Sequence, residues 1–215
     1  MADYTLHCFL ESGNSYKPAL MLTLAGCNWQ PSWVDYFQGA HRTPEYRALN
    51  EMGEVPVLID HTENDLTLSQ SGVILYHLAG KTGKFMPETP QEEREVLRWI
   101  LFDNHKLTGY ISVFRFLNRF LGKGDTAEGQ FMKGRMISAL KTLNHHMSGR
   151  DWVAADRPTI ADISLCGYLF WPDHYDTDWA DYPYIGAWLE RIRTLDNWAA
   201  PEALLPTAPT AAQVA

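Results

Sequence analysis

Apolar and polar positions change their rhythm along this chain. Short runs bounded by turn residues fill the first third, and three- and four-residue spacing takes over after about residue 90. Residues 4–10 and 32–37 read as strands, and residues 55–60 and 65–68 read as a hairpin. Residues 19–25 are apolar and helix-favouring, with Gly26 as a natural residue just past the helix end. Pro18 constrains where that helix begins, because a proline has no N–H and fits only the first turn. A cap at Ser15 or slightly later therefore fits better than one at Asn14. Residues 41–49 read as irregular or short helix. Ser69 is a plausible N-cap for a helix over residues 69–79 that ends at Gly80.

All strand signals stop at residues 81–90, a linker with Gly83, Pro87 and Pro90. Residues 91–120 form one long helical pattern. Ile100, Leu107, Ile111, Phe114 and Leu117 make its stripe, and Trp99, Phe102, Tyr110, Val113, Phe116 and Phe120 widen it beyond one face. The polar patch Asp103-Asn104-His105-Lys106 interrupts it, either as an exposed turn or with Asn104 or His105 facing a pocket. Helices follow over residues 128–147 and 182–195. Thr159-x-x-Asp162 before an apolar run is a capping-box variant. The tail 201–215, rich in Pro, Ala and Thr, is expected to be disordered.

Composition narrows the function classes. A net charge of −8 argues against a nucleic-acid or anionic-membrane surface. No apolar run approaches the length of a membrane span. Cys8, Cys27 and Cys166 are scattered with no C-x-x-C, and the N-terminus has no signal-peptide pattern, so a reduced, cytoplasmic setting is expected. The eight histidines include His145-His146 but no ligand set at metal spacing, so no metal is expected.

Two stretches carry more specific information. The first runs Tyr46-Arg47-Ala48-Leu49-Asn50-Glu51-Met52-Gly53-Glu54-Val55-Pro56-Val57-Leu58, and the second is Leu68-Ser69-Gln70-Ser71. Locally they are a loop entering a buried strand, then a helix start whose free N–H groups suit an anion. Since only about 5–6% of X-Pro bonds are cis in folded proteins, spacing alone favours trans at Val55-Pro56. In order and spacing, however, the two stretches resemble the N-terminal half of cytosolic glutathione transferases. The Thr159 box resembles the buried cap of that family's helical domain, and the likeness covers about residues 4–200.

The resemblance implies a fold class: an α+β thioredoxin-like domain (1–80), a linker (81–90) and an all-α domain (91–200). It also implies that Val55-Pro56 is cis. The backbone of Val55 then pairs with the cysteinyl part of glutathione, Gln70 and Ser71 hold its γ-glutamyl end, and a cation such as Arg42 meets its glycine carboxylate. His41, Arg42 and Arg47 are otherwise ordinary solvated surface.

The chemistry such a site must do is to make a thiolate. A hydroxyl donor and a helix N-terminus both stabilise one. On composition Ser12 is a plain turn serine. The resemblance places it where serine-type members carry their thiol-activating hydroxyl, puts Asn14 where some bacterial members use that residue instead, and puts Ser15 near the cysteine of cysteine-type members. No cysteine lies between Ser12 and Lys17, which weighs against chemistry through a protein mixed disulfide. The leading expectation is a homodimeric transferase that joins glutathione to a small, largely apolar electrophile. Glutathione-dependent disulfide or hydroperoxide reduction is a second reading, and a non-catalytic binding protein a third.

Overall fold

The computed structural model describes residues 2–208. Gly83–Leu195 forms one compact unit, and the chain before it together with the segment from Asp196 on forms the other.

In the first unit, β1 (Tyr4–Cys8), β2 (Trp29–Trp33), β3 (Val57–Asp60) and β4 (Leu66–Ser69) make a four-stranded sheet in the order β2-β1-β3-β4. β1 runs parallel to β2 and antiparallel to β3, and β3 is antiparallel to β4. β2 lies three residues earlier than its alternation suggests, because the register that pairs Tyr4 with Trp29 and Cys8 with Trp33 uses the segment just after the first helix. α1 (Gly13–Ala25) and α3 (Ser71–Thr82) pack against each other and bury Leu20, Leu22, Ile74, Leu75 and Leu78. A short helix, α2 (Pro44–Leu49), capped by Thr43, follows a 3-10 turn at Ala40–Arg42.

Three helix-end expectations need correction. α1 begins at Gly13 with Ser12 as its N-cap, and Pro18 sits inside it, where the missing N–H forgoes one bond. The capping hydrogen bond to Ser12 outweighs the proline rule. Ser69 still belongs to β4, and Ile74 N–H donates to the Gln70 carbonyl, so Gln70 rather than Ser69 holds the cap position of α3. Gly80 lies within α3; the chain leaves the helix at Gly83, whose φ of +68° suits glycine.

The tail also departs from expectation. α9 (Pro201–Leu204) is helical, Pro201 and Leu205 are buried, and the Leu10 N–H donates to the Pro206 carbonyl. Tyr16 Oη donates to the Ala199 carbonyl at 2.8 Å. Composition suggested disorder, but two apolar side chains at helical spacing find a seat on the first unit. Residues 209–215 lie outside the described residues.

The second unit is helical. α4 (Pro90–Phe102) and α5 (Thr108–Arg115) belong to one continuous run that continues to Phe120, with π-helical turns at Asp103–Leu107 and Phe116–Phe120. The polar patch falls in the first of these. Asp103 is buried there and accepts from Thr108 Oγ1 at 2.7 Å and Ser164 Oγ at 2.6 Å, whereas Asn104 and His105 are exposed. The inward-facing polar group is thus Asp103. Around this run stand α6 (Ala127–His146), α7 (Ile160–Leu165) and α8 (Pro183–Arg193), over a core that includes Val96, Ile111, Phe114, Leu140 and Trp188.

The Thr159–Asp162 capping box forms as expected, and it does more than cap. The buried Asp162 carboxylate accepts from Thr159 N–H at 2.8 Å, Thr159 Oγ1 at 3.1 Å, Val153 N–H at 2.9 Å and Trp188 Nε1–H at 3.0 Å. Burial pushes its carboxyl up, and these donors oppose that shift. Asp162 therefore ties α7, the 153 loop and α8 together. Asp162→Ala should cost about 3 kcal/mol or more, beyond a lost cap, because several buried donors lose their acceptor. Denaturant unfolding checks this, and a loss under about 1 kcal/mol would contradict the hub.

Candidate functional site

The sheet register brings three separated segments to one end of the first unit. Val57, the first residue of β3, pairs with His7 on one side and Ser69 on the other. The end of β1, the entry to β3 and the end of β4 therefore lie side by side. From that edge β1 leads through residues 9–12 into α1, and β4 leads through Gln70 into α3. Two helix N-termini open at the same end of the sheet, each with backbone N–H groups and a partial positive charge. The Val55–Pro56 peptide bond, cis as the resemblance implies, lies at the same edge.

At the start of α1, Ser12 is buried and its Oγ accepts from Ser15 N–H at 3.1 Å. That contact uses a lone pair, so the hydroxyl proton remains free to donate. Ser15 does not take the capping role. Its Oγ is buried without a hydrogen-bond partner, as are Asn14 Oδ1 and His7 Nε2. Buried polar atoms are normally paired, so three orphans near the end of β1 and the start of α1 mark a place that calls for a polar partner. Burial lowers the pKa of His7, which favours its neutral form. Burial pushes the Cys8 thiol up to about 12, so it is no nucleophile near neutral pH.

Gln70 has φ +67°, a left-handed conformation that costs a residue with a Cβ about 1–2 kcal/mol. This twist turns the chain from β4 into α3. The exposed Gln70 side chain donates through Nε2 to Glu54 Oε2 at 3.2 Å and lies 3.1 Å from Met52 Sδ. Ser71 follows as the buried first residue of α3. Arg42 is exposed, and its Nε donates to His41 Nε2 at 3.1 Å. Its guanidinium is directed by that neighbour, and no contact brings it to Ser12, Val55 or Gln70.

The loop before the proline has supports that the sequence reading did not single out. Tyr46 Oη and Asn50 Nδ2 both donate to the Glu54 carbonyl, at 3.1 and 2.8 Å. Asn50 Oδ1 accepts from Met52 N–H at 3.2 Å, an Asx-turn contact. Gly53, at φ +61°, passes so close that a Cβ there would lie 3.0 Å from the His41 carbonyl oxygen. The signal was present in Asn50-Glu51-Met52-Gly53, a turn-forming run read only as part of a family motif.

Known proteins share this fold. The sequence matches the family description "Glutathione S-transferase, N-terminal domain" over residues 2–80 and "Glutathione S-transferase, C-terminal domain" over residues 110–191. It is 34% identical over 108 residues to Protein URE2 of Eremothecium gossypii, a match that covers 47% of this chain but only 30% of that protein. It is 25% identical over 190 residues to the disulfide-bond oxidoreductase YfcG of Escherichia coli, covering 86% of this chain and 88% of the relative. The solved structure of a possible glutathione S-transferase from Rhodopseudomonas palustris superposes with a TM-score of 0.86 at 32% identity, over 97% of this chain and 94% of that one. Among the described residues no helix is long and apolar enough to cross a membrane.

The Glu54 carbonyl provides a test of the loop. Asn50→Ala removes one donor to it and the acceptor for Met52 N–H, and should cost about 1–3 kcal/mol. Tyr46→Phe leaves the Asn50 bonds in place and should cost about 0.5–1.5 kcal/mol. Urea unfolding ranks the two, and amide exchange at residues 51–55 should quicken in Asn50→Ala. A variant as stable and as protected as the parent would show that the Asx turn does not hold the loop.

Proposed function

The chain belongs to the glutathione S-transferase family, and from that premise we propose that it ionises the glutathione thiol at Ser12 for attack on small, largely apolar electrophiles. The observation that carries this reading is the Ser12 hydroxyl, an acceptor for the helix but still a donor, at the N-terminus of α1. In this reading the Val55 backbone pairs with the cysteinyl residue of the tripeptide. Gln70, released from Glu54, and Ser71 take its γ-glutamyl end at the start of α3, while Arg42 supplies charge toward the glycine carboxylate. Ser15 acts through its backbone by holding Ser12.

A donated hydrogen bond helps the thiolate far more than the thiol, so it acts on rate more than on ground-state binding. A charge-assisted bond of about 1.5–3 kcal/mol lowers the thiol pKa by about one to two units. Ser12→Ala should therefore cut the conjugation rate near neutrality by about ten- to a hundredfold and move the pH midpoint upward by that amount, while glutathione affinity at low pH stays close to normal. The variant also loses a helix cap worth about 0.5–2 kcal/mol. Recovery of rate at high pH separates the two effects, because a damaged fold would not recover. If Ser12→Ala keeps the parent's pH midpoint while Asn14→Ala or Ser15→Ala shifts it, the sulfur meets a different side chain.

Glutathione-dependent disulfide reduction is the second reading. It draws support from Asn14, whose Oδ1 is buried and unpartnered, and from the likeness to a disulfide-bond oxidoreductase along most of both chains. Assays with an aryl halide and with a small mixed disulfide distinguish it from conjugation.

We also propose a two-fold dimer. Leu97 and Leu101, one turn apart on α4, are 47% and 60% exposed, an apolar pair that an isologous contact would cover. Light scattering should give twice the 24.5 kDa chain mass, and Leu97→Glu with Leu101→Glu should halve it. A parent with the mass of one chain at micromolar concentration would reject the dimer.

A further inference from the structure

A second cluster of chemically capable side chains stands at the other end of the sheet. Asp60 closes β3, paired with Tyr4 and Leu66 rather than with the residues beside Pro56. Glu63 follows in a 3-10 turn at His61–Glu63, and His77 and Lys81 lie one turn apart on α3. Their polar atoms converge. His77 Nε2 is 2.8 Å from Asp60 Oδ2, and Lys81 Nζ is 2.9 Å from Glu63 Oε2 and 3.7 Å from Asp60 Oδ2. One ligand atom from each of Asp60, Glu63 and His77 lies within 4.8 Å of the others.

We propose that Asp60, Glu63 and His77 form a binding site for a zinc-class divalent cation, for which the Lys81 ammonium, paired with both carboxylates, now competes. Two carboxylate oxygens and one imidazole nitrogen are a ligand set that zinc accepts, with water completing a tetrahedron at about 2.0–2.2 Å from each ligand. Such a sphere needs ligand atoms about 3.4 Å apart, which small side-chain rotations reach from the present spacing. The buried Asp60 is the fixed point. Its Oδ1 accepts from Thr62 N–H at 2.9 Å and Thr62 Oγ1 at 2.6 Å, which orients Oδ2 toward His77 and Lys81. Burial alone would raise the Asp60 carboxyl, but Thr62, His77 and Lys81 together hold it below its ordinary value.

Lys81 is the competing occupant. Its side chain is 33% exposed on a flexible stem, so a divalent ion can send it into solvent. The Glu63 pair it gives up is partly wet and contributes little, and the Asp60 pair is the longer of the two at 3.7 Å. A divalent ion between two carboxylates cancels both charges, whereas the ammonium cancels one. Bound there, the ion would clip the end of β3, the following turn and the second half of α3 together, as a structural device apart from the glutathione end. Sequence spacing misses this set because it holds a single histidine and its members are three and fourteen residues apart.

The test uses the full chain, stripped with a chelator and dialysed against Zn²⁺, with metal analysis and thermal unfolding as two readouts. The parent should take up one ion per chain and melt at a higher temperature with zinc than without. Lys81→Met should bind about tenfold tighter, and Glu63→Gln and His77→Ala at least about tenfold weaker. Glu63 is exposed, so its variant should fold and keep the comparison sound. Three results overturn the site: no zinc held by either the parent or Lys81→Met, no tightening in Lys81→Met, or uptake unchanged in both Glu63→Gln and His77→Ala. The last is what an ion on His145 and His146 would produce.

Discussion

Everything in the first unit depends on β3 lying between β1 and β4 in one register. Side chains alternate faces along a strand, so a slip of one residue would exchange the faces to which the buried Val57 and Leu58 point. The same register decides which loops meet. With Val57 opposite both His7 and Ser69, the two helix starts and the Pro56 loop must share one end of the sheet, and Asp60 must sit at the other. Burial of a few apolar side chains thus places all the polar chemistry of this unit, including groups that contribute nothing to the core.

The helical unit solves a different problem. Its long helical run carries apolar side chains on more than one face and also has to admit a buried carboxylate. The π turn at Asp103–Leu107 lets Asp103 face inward to Thr108 and Ser164 without leaving the helix. Asp162 plays the matching part on α7. Two buried aspartates, each surrounded by donors, give direction to a core that apolar packing alone would leave under-specified.

Much of this was legible in the sequence. The hairpin, the end of strand signals before residues 81–90 and the capping box at Thr159 follow from local pattern, because each is decided by neighbours in the chain. The cis bond before Pro56 does not. Local frequencies point the other way, and only likeness to a family suggests it. The cap of α1 departs from expectation because the Ser12 hydrogen bond, which spacing does not reveal, outweighs the preference of Pro18 for a first turn. α9 was read as disorder because its order comes from Tyr16 and Leu10, nearly two hundred residues away. The Asp60 cluster is likewise a product of tertiary meeting, whereas the supports at Tyr46 and Asn50 are local contacts within the turn-forming run that precedes Pro56.

On the proposed chemistry the Ser12 hydroxyl serves both the helix and the glutathione sulfur, and that double use would narrow which residues position 12 can accept over evolutionary time. Aspartate, asparagine and threonine cap helices well, so selection for folding alone would let them drift in and out. Aspartate would set a fixed negative charge where the proposed chemistry forms a thiolate, and asparagine would offer an amide in place of a hydroxyl. Threonine keeps the hydroxyl but adds a methyl group in a buried corner. A lineage that leaves serine here therefore either changes its chemistry or moves the donor to another residue of the same turn. Asn14 and Ser15, with unclaimed polar atoms one and two residues into the helix, are placed to receive that duty.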